Sequence, residues 1–259
     1  LTRITKALEH RSVDNLSAIS ARRIPIELIP MVESINRLLS RLDESITRER
    51  RFSADAAHEL RTPIAALKAK TEVALREPDL PKKALLLHSL IQITNRCTRV
   101  IEQLLTLSRL EPESTLPDMA EVDICESARM LMAELVPAAM DKDIDIELEA
   151  PDNPITLYAS RGAIGILLRN LIDNAIRYTP EGGMVKVILH TDKKHVILQV
   201  IDSGPGVPEN LRTRIFDRFF RQLGNKAEGS GLGLSIVSQI VRLHNAKIEA
   251  LEPKAAKGL

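Results

Sequence analysis

Phe52-Ser-Ala-Asp-Ala-Ala-His58-Glu59-Leu-Arg-Thr62-Pro63 lies on a stretch whose apolar residues return every three or four positions. Ile35, Leu38, Leu39, Leu42 and Ile46 fall on one helical face, and Arg41, Asp43, Glu44, Arg48, Glu49, Arg50 and Arg51 fill the rest. The pattern predicts one helix from about Ile35 to Arg76. A helix of that length is not held by its own stripe, so it needs a neighbour. Glu77-Pro-Asp-Leu-Pro81 interrupts it, because proline cannot continue the main-chain ladder. A second helical pattern runs from Lys82 to Leu110, with Leu86, Leu90, Ile93, Val100, Ile101, Leu104 and Leu105 free to pack. Two antiparallel helices make a hairpin, and two hairpins make a four-helix bundle.

A single histidine on a helix is ordinarily structural, but His58 has informative company. Glu59 follows it directly, and Thr62 lies one turn on, on the same face. A neutral imidazole attacks phosphorus through one ring nitrogen and leaves positive charge on the ring. A carboxylate that accepts the proton of the other nitrogen relieves that charge. Pro63 withholds an amide and is expected to loosen the helix just after the histidine.

Composition limits the alternatives. The chain has 259 residues, enough for about two domains, with 44% hydrophobic and 27% charged residues. A net charge of +1 gives no footprint for nucleic acid. Cys97 and Cys125 stand alone, without the spacing of a disulfide framework or a zinc site. No apolar run reaches the roughly 20 residues that cross a bilayer.

Beyond Pro112 the pattern changes. Linker-like residues 111–117 precede a helix over Ile124–Met140, a strand over Ile144–Leu148 and a helix over Arg161–Arg177. Strands at Val185–Leu189 and Val196–Ile201 flank a turn at Asp192–His195. A helix from about Leu232 to His244 and a strand at Lys247–Leu251 follow. The mixture predicts an α/β sandwich with helices on one sheet face, and an α+β chain as a whole.

Three further strings carry chemistry. In Leu168-Arg-Asn170-Leu-Ile-Asp-Asn174-Ala-Ile-Arg177-Tyr178, polar groups interrupt an apolar helix at helical spacing. Buried amides without partners would cost about 1–3 kcal/mol each, a deficit that Mg²⁺ and phosphates would remove. Ile201-Asp202-Ser-Gly204-Pro-Gly206 ends a strand with glycines that let a ligand approach the backbone. Glu228-Gly229-Ser-Gly231-Leu-Gly233-Leu opens a helix, where main-chain amides favour anions. It has neither the Lys-Ser/Thr ending of a P-loop nor the βαβ setting of a dinucleotide fingerprint. Ile215-Phe216-Asp-Arg-Phe219-Phe220-Arg221 precedes it, and Gln222–Ala227 reads as a mobile lid. Of the six aromatic residues, only Tyr158 lies outside these strings.

Together the strings resemble bacterial two-component sensor histidine kinases: an H-box, then N-box, G1, F-box and G2 in order, the likeness covering about Ile24 to Leu251. The first string resembles the branch that includes the PmrB and QseC kinases. The resemblance implies a signal-transducing transferase and phosphoprotein. His58 would accept phosphate, Glu59 would be its base, and Thr62 would orient water for dephosphorylating a partner. Asn174 would ligate Mg²⁺, Asn170 and Arg177 would lie at the phosphates of ATP, and Tyr178 would line the adenine pocket. Asp202, with Gly204 and Gly206, would receive the adenine amino group. Phe216, Phe219, Gly229, Gly231, Leu232 and Gly233 would complete the nucleotide site.

The domain expectations follow the same resemblance. Residues 1–50 would be a partial HAMP relay and signalling helix, 51–112 the dimerisation and phosphotransfer domain, and 113–259 the catalytic domain. The partners would be a second copy and the receiver domain of a response regulator. Residues 252–259 depart from the family, so a closing strand is expected to be missing. Attachment to the inner membrane would come only from a segment preceding the relay, leaving this portion cytoplasmic. Two other classes remain: an ATPase related to gyrase and Hsp90, which would carry Glu where Asn170 stands and lack the H-box, and a nucleotide-binding dimeric scaffold without kinase turnover.

Overall fold

The computed structural model describes residues 16–19, 25–110, 116–192, 195–221 and 230–252. Two compact units divide the chain, residues 1–66 and 67–259.

In the first unit a 3₁₀ turn at Ile26–Leu28 leads into α1, Ile29–Arg76, a helix of 48 residues that continues into the second unit. Pro30 sits in the first turn, where its missing N–H deprives no carbonyl of a partner. Ile19, Val32 and Leu39 form a small core, with Leu16, Leu28 and Ile35 packed against it. The Asn36 side chain holds the backbone of Ile19 at both poles: its Oδ1 accepts from the Ile19 amide at 2.6 Å and its Nδ2 donates to the Ile19 carbonyl at 3.0 Å. A residue outside helix and strand has no ladder for its main-chain groups, and the amide side chain substitutes for one. Of residues 1–50, expected to be a relay and signalling helix, 1–15 and 20–24 lie outside the described residues.

The second helix of the hairpin, α2, spans Leu80–Arg109. It begins two residues before the expected Lys82 because Asp79 caps it, accepting from the Lys82 amide at 3.0 Å, and Pro81 fits the first turn. The Lys70 amino group donates to the Ser89 hydroxyl, joining the two helices near their turn.

The rest of the second unit consists of β1 (Met119–Asp123), α3 (Ile124–Met140), β2 (Asp145–Glu149), β3 (Thr156–Ser160), α4 (Arg161–Tyr178), β4 (Met184–Asp192), β5 (His195–Asp202) and α5 (Gly233–Leu243). Three strands form one sheet in the order β2-β4-β5, parallel then antiparallel, and β1 pairs antiparallel with β3. Val185, Val187 and Leu189 point alternately inward from β4, while Leu168, Ile172, Ile236 and Ile240 bury the inner faces of α4 and α5. The β4–β5 hairpin closes at Asp192 and His195, as the turn signal indicates; its two central residues lie outside the described ones.

One expected element is corrected. Lys247–Leu251 forms no strand: Ile248 and Ala250 are half-buried between exposed neighbours, but no strand among the described residues pairs with them. Alternation supplies a face, whereas a strand also needs a neighbouring edge. Of the expected departure at 252–259, all but Glu252 lies outside the described residues.

Candidate active site

His58 is exposed on α1, Glu59 half-buried beside it, and Thr62 exposed one turn on. The Thr62 hydroxyl donates to the His58 carbonyl at a long 3.5 Å. The helix runs on through Pro63, which is buried; lacking an N–H, Pro63 leaves the Glu59 carbonyl without its usual main-chain partner. The loosening expected here stops short of a break.

The second cluster is built around α4. Ser160 caps this helix by accepting from the Ala163 amide at 3.3 Å, and at its far end Lys142 donates to the Ile176 and Arg177 carbonyls at 3.0 and 2.8 Å. Both ends are satisfied, so the helix presents a fixed face. Ile172, Ala175 and Ile176 are buried, while Asn170, Asn174, Arg177 and Tyr178 are half-buried on the opposite side. Asn170 uses its Nδ2 on the Ile166 carbonyl at 2.8 Å, which turns its Oδ1 away from the helix.

That oxygen faces the start of α5. A Cβ placed on Gly233 would lie 2.9 Å from Asn170 Oδ1 and 3.4 Å from Asn174 Nδ2, so a side chain there would have to push the Asn170 amide aside. The Phe219 amide donates to the Gly231 carbonyl at 2.9 Å, and both residues hold positive φ, 60° and 70°. At the end of β5, Asp202 accepts from the Gly204 amide at 2.9 Å, and a Cβ on Gly204 would lie 2.9 Å from the Tyr178 carbonyl oxygen. The loop after β5 therefore rests on the C-terminal end of α4.

Asn170, Asn174, Arg177, Tyr178, Gly231 and Gly233 line one cleft of about 50 Å³. Asp202, Gly204, Gly206, Phe216 and Phe219 are not among its walls, and the Leu232 side chain is fully buried, so only its backbone is available to a ligand. Gly229 lies outside the described residues, as does the lid Gln222–Ala227. Gln103, Asp173, Ile215, Phe220, Ser230 and Leu234 also line the cleft; all but Gln103 stand inside the quoted strings, though none is among the expected site residues. Ser230 sat inside a quoted motif, whereas nothing in the sequence connects Gln103 with residues some 70 to 130 positions further on. Its Nε2 donates to Asn170 Oδ1 at 3.4 Å, and its Oε1 accepts from the Ser230 hydroxyl at 2.6 Å.

No cluster of three or more His, Cys, Asp or Glu suited to a metal occurs among the described residues. A cation bound chiefly by phosphates and water does not require one. The amide oxygens of Asn170 and Asn174 in the cradle at Gly233 are hard donors of the kind Mg²⁺ accepts, so the residues fit the ion.

Residues 48–113 match the family model described as His Kinase A (phospho-acceptor) domain, and residues 159–258 match Histidine kinase-, DNA gyrase B-, and HSP90-like ATPase. Together the two cover well over half of the chain, and His58 falls in the first. The chain is 42% identical over 253 residues to the sensor protein QseC of Escherichia coli, covering 96% of this chain and 55% of that protein. It is 36% identical over 262 residues to the sensor protein kinase PmrB of Pseudomonas aeruginosa, covering 100% of this chain and 54% of that protein. The chain thus spans about half the length of these curated relatives. The histidine kinase ThkA, solved in complex with the response regulator protein TrrA, superposes with a TM-score of 0.66 at 26% identity, covering 82% of this chain and 60% of that one. No helix among the described residues is long and apolar enough to cross a membrane. With an exposed histidine followed by a carboxylate on a long helix, an amide-lined cleft at a glycine-rich helix start, and these matches across both regions, the chain belongs to the sensor histidine kinase family.

Proposed function

We propose that the chain binds ATP in the cleft beside α4 and transfers its γ-phosphoryl to His58. The observation that carries this reading is the cradle at Gly233, where a helix N-terminus meets the side-chain amides of Asn170 and Asn174 with no intervening side chain. Main-chain amides and the helix dipole favour anions there, and Arg177 adds a guanidinium at the same wall.

Asn174, with Asn170 beside it, would hold Mg²⁺, which when bound offsets charge on the phosphates. Asp202 would accept the adenine amino group, and Tyr178 would flank the base. A ring nitrogen of His58 forms the new P–N bond as the bond from the γ-phosphorus to the bridging oxygen breaks and ADP departs with the electron pair. Glu59 takes the proton from the other ring nitrogen. Phosphoryl transfer of this kind depends mainly on positioning and charge stabilisation. The phosphoryl group would then pass to an aspartate of a response regulator, and Thr62 would help to orient water for hydrolysing it from that partner, with release of inorganic phosphate.

The apolar residues left exposed on α2 support a dimer. Leu80, Leu87, Ile91, Ile101 and Leu105 of α2 are exposed, as the inner face of a bundle would be in a single copy. Residues 1–50 would be the relay and signalling helix, 51–112 the dimerisation and phosphotransfer domain, and 113–259 the catalytic domain. The chain would be the cytoplasmic portion of an inner-membrane protein.

Incubation with γ-labelled ATP and Mg²⁺ tests the reading. Acid-labile, base-stable label that is absent from His58→Gln is expected. Nucleotide binding without label would leave a dimeric scaffold and end the kinase assignment.

A further inference from the structure

The last turns of α2 carry a stripe at Val100, Gln103, Leu107 and Leu110, separated by steps of three, four and three. Val100, Leu107 and Leu110 are buried, as a helix face packed on its neighbour is. The Leu110 carbonyl accepts from Gln239 Nε2 of α5, so this end of α2 is docked on that helix. Gln103 is half-buried and is the polar member of the stripe, where a leucine would have continued it.

Its side chain reaches both walls of the nucleotide cleft at once. Nε2 donates to Asn170 Oδ1 of α4 at 3.4 Å, and Oε1 accepts from the Ser230 hydroxyl at 2.6 Å. The polarity is fixed: Asn170 Nδ2 is committed to the Ile166 carbonyl, so its oxygen must meet the Gln103 NH₂ and leave the Gln103 oxygen for the hydroxyl. Ser230 is buried, and its oxygen accepts in turn from the Leu232 amide at 3.2 Å. One side chain of α2 thus ties α4 to the approach of α5 and leaves a cleft of about 50 Å³. Pockets for ligands of nucleotide size run to about 300 Å³ or more. The Asn170 oxygen that Mg²⁺ would need is also already in use as an acceptor. Gln103 borders a second cleft, about 260 Å³, between α2 and α4, which gives the side chain room to withdraw.

We propose that Gln103 is a latch: it holds the nucleotide cleft shut while the last turns of α2 are docked on α5, so that docking and Mg²⁺-nucleotide oppose one another. The latch presupposes the nucleotide reading above and supplies a control on it. Linkage is reciprocal, so whatever draws α2 away from α5 raises nucleotide affinity by the factor with which nucleotide loosens the docking.

Titration calorimetry of the full chain with a nonhydrolysable ATP analogue and Mg²⁺ compares the natural sequence with Gln103→Ala and with Gln239→Ala. Gln239 lines neither cleft, so its substitution loosens the docking without touching the site. Both variants are expected to bind the analogue more tightly, Gln103→Ala by about fivefold or more, since two hydrogen bonds no longer oppose opening. Circular dichroism and a urea curve show that each variant is folded, and the two substitutions test the docking independently, so the loss of one leaves the other decisive. Unchanged or weaker binding by Gln103→Ala overturns the latch, weaker binding making Gln103 a nucleotide contact instead. Tighter binding by Gln103→Ala beside an unchanged Gln239→Ala overturns the coupling to the docked helix. Analogue binding by neither the natural chain nor either variant overturns the nucleotide reading, and the latch with it.

Discussion

Gly231 and Gly233 stand two residues apart, yet they are constrained for different reasons. A Cβ on Gly231 would lie 2.7 Å from the Phe219 carbonyl carbon, and the residue sits at φ +70°. Gly231→Ala meets backbone on one side and left-handed strain on the other, so stability is expected to fall by at least about 1–2 kcal/mol. A lower midpoint in urea reads this directly. Gly233 carries no positive φ, and its nearest neighbour is the end of the Asn170 side chain. Gly233→Ala is expected to keep the fold and weaken nucleotide binding, which titration calorimetry measures. Unchanged affinity would remove the Gly233 cradle from the site. The glycine spacing was legible in the sequence because it forms a contiguous string. What each glycine must admit was not legible, since Phe219, Asn170 and Tyr178 come to it through the fold.

Among the elements, α3 and α4 begin at the residues their sequence indicates, since Asp123 and Ser160 are side-chain caps. The strands that end in those same caps, β1 and β3, were not legible. Each has five residues with little alternation, and β1 buries only Val122. They exist because they pair with each other across 32 or more intervening residues. Between β2 and β4 a charge cluster has a definite pH signature. Lys186 lies 3.2 Å from Glu147 and 2.8 Å from Glu149. The hydrogen bond from Lys186, then its charge, holds the Glu149 carboxyl below its ordinary 4.5, and the bonds to Glu149 and Glu147 raise Lys186 above 10.5. A lowered carboxylate contributes above its ordinary value and loses the contribution as pH falls through the lowered one. A raised amine contributes fully below its ordinary value and loses the contribution as pH rises through the raised one. The stability difference between the natural chain and Lys186→Met is therefore expected to be level between 4.5 and 10.5 and to shrink outside that window. It is expected to be small and salt-sensitive, because all three side chains reach solvent. Urea midpoints measured across pH and ionic strength check both statements, and a difference that persists well below pH 4.5 would assign the effect to packing.

At the scale of the whole molecule, α2 presents a stripe with a seven-residue repeat. Leu80, Ala84, Leu87, Ile91, Thr94, Thr98, Ile101 and Leu105 are separated by alternating steps of four and three. Leu80, Leu87, Ile91, Ile101 and Leu105 are 77%, 49%, 57%, 46% and 53% exposed. That spacing is the seam of a coiled-coil-like bundle, and the exposure means that this chain alone does not fill it. Of this seam only Ile101 and Leu105 are among the packing residues the sequence pattern picks out; Leu80, Leu87 and Ile91 were not legible, nor was the seam's freedom from internal partners, because a hairpin could have buried it against α1. A second copy would cover the stripe, and each leucine or isoleucine buried there would contribute about 1.5–3 kcal/mol. Ile91→Glu places a charge in the seam without touching the buried face of α2. It is expected to convert a dimer into a monomer in sedimentation equilibrium and to abolish any dependence of the melting temperature on protein concentration. A variant of unchanged mass would show that the stripe is not the dimer seam, whatever the hairpin does in phosphotransfer. If the monomer still incorporates γ-phosphate at His58, the reaction runs within one chain; if it loses label while still binding nucleotide, each copy depends on the catalytic domain of the other.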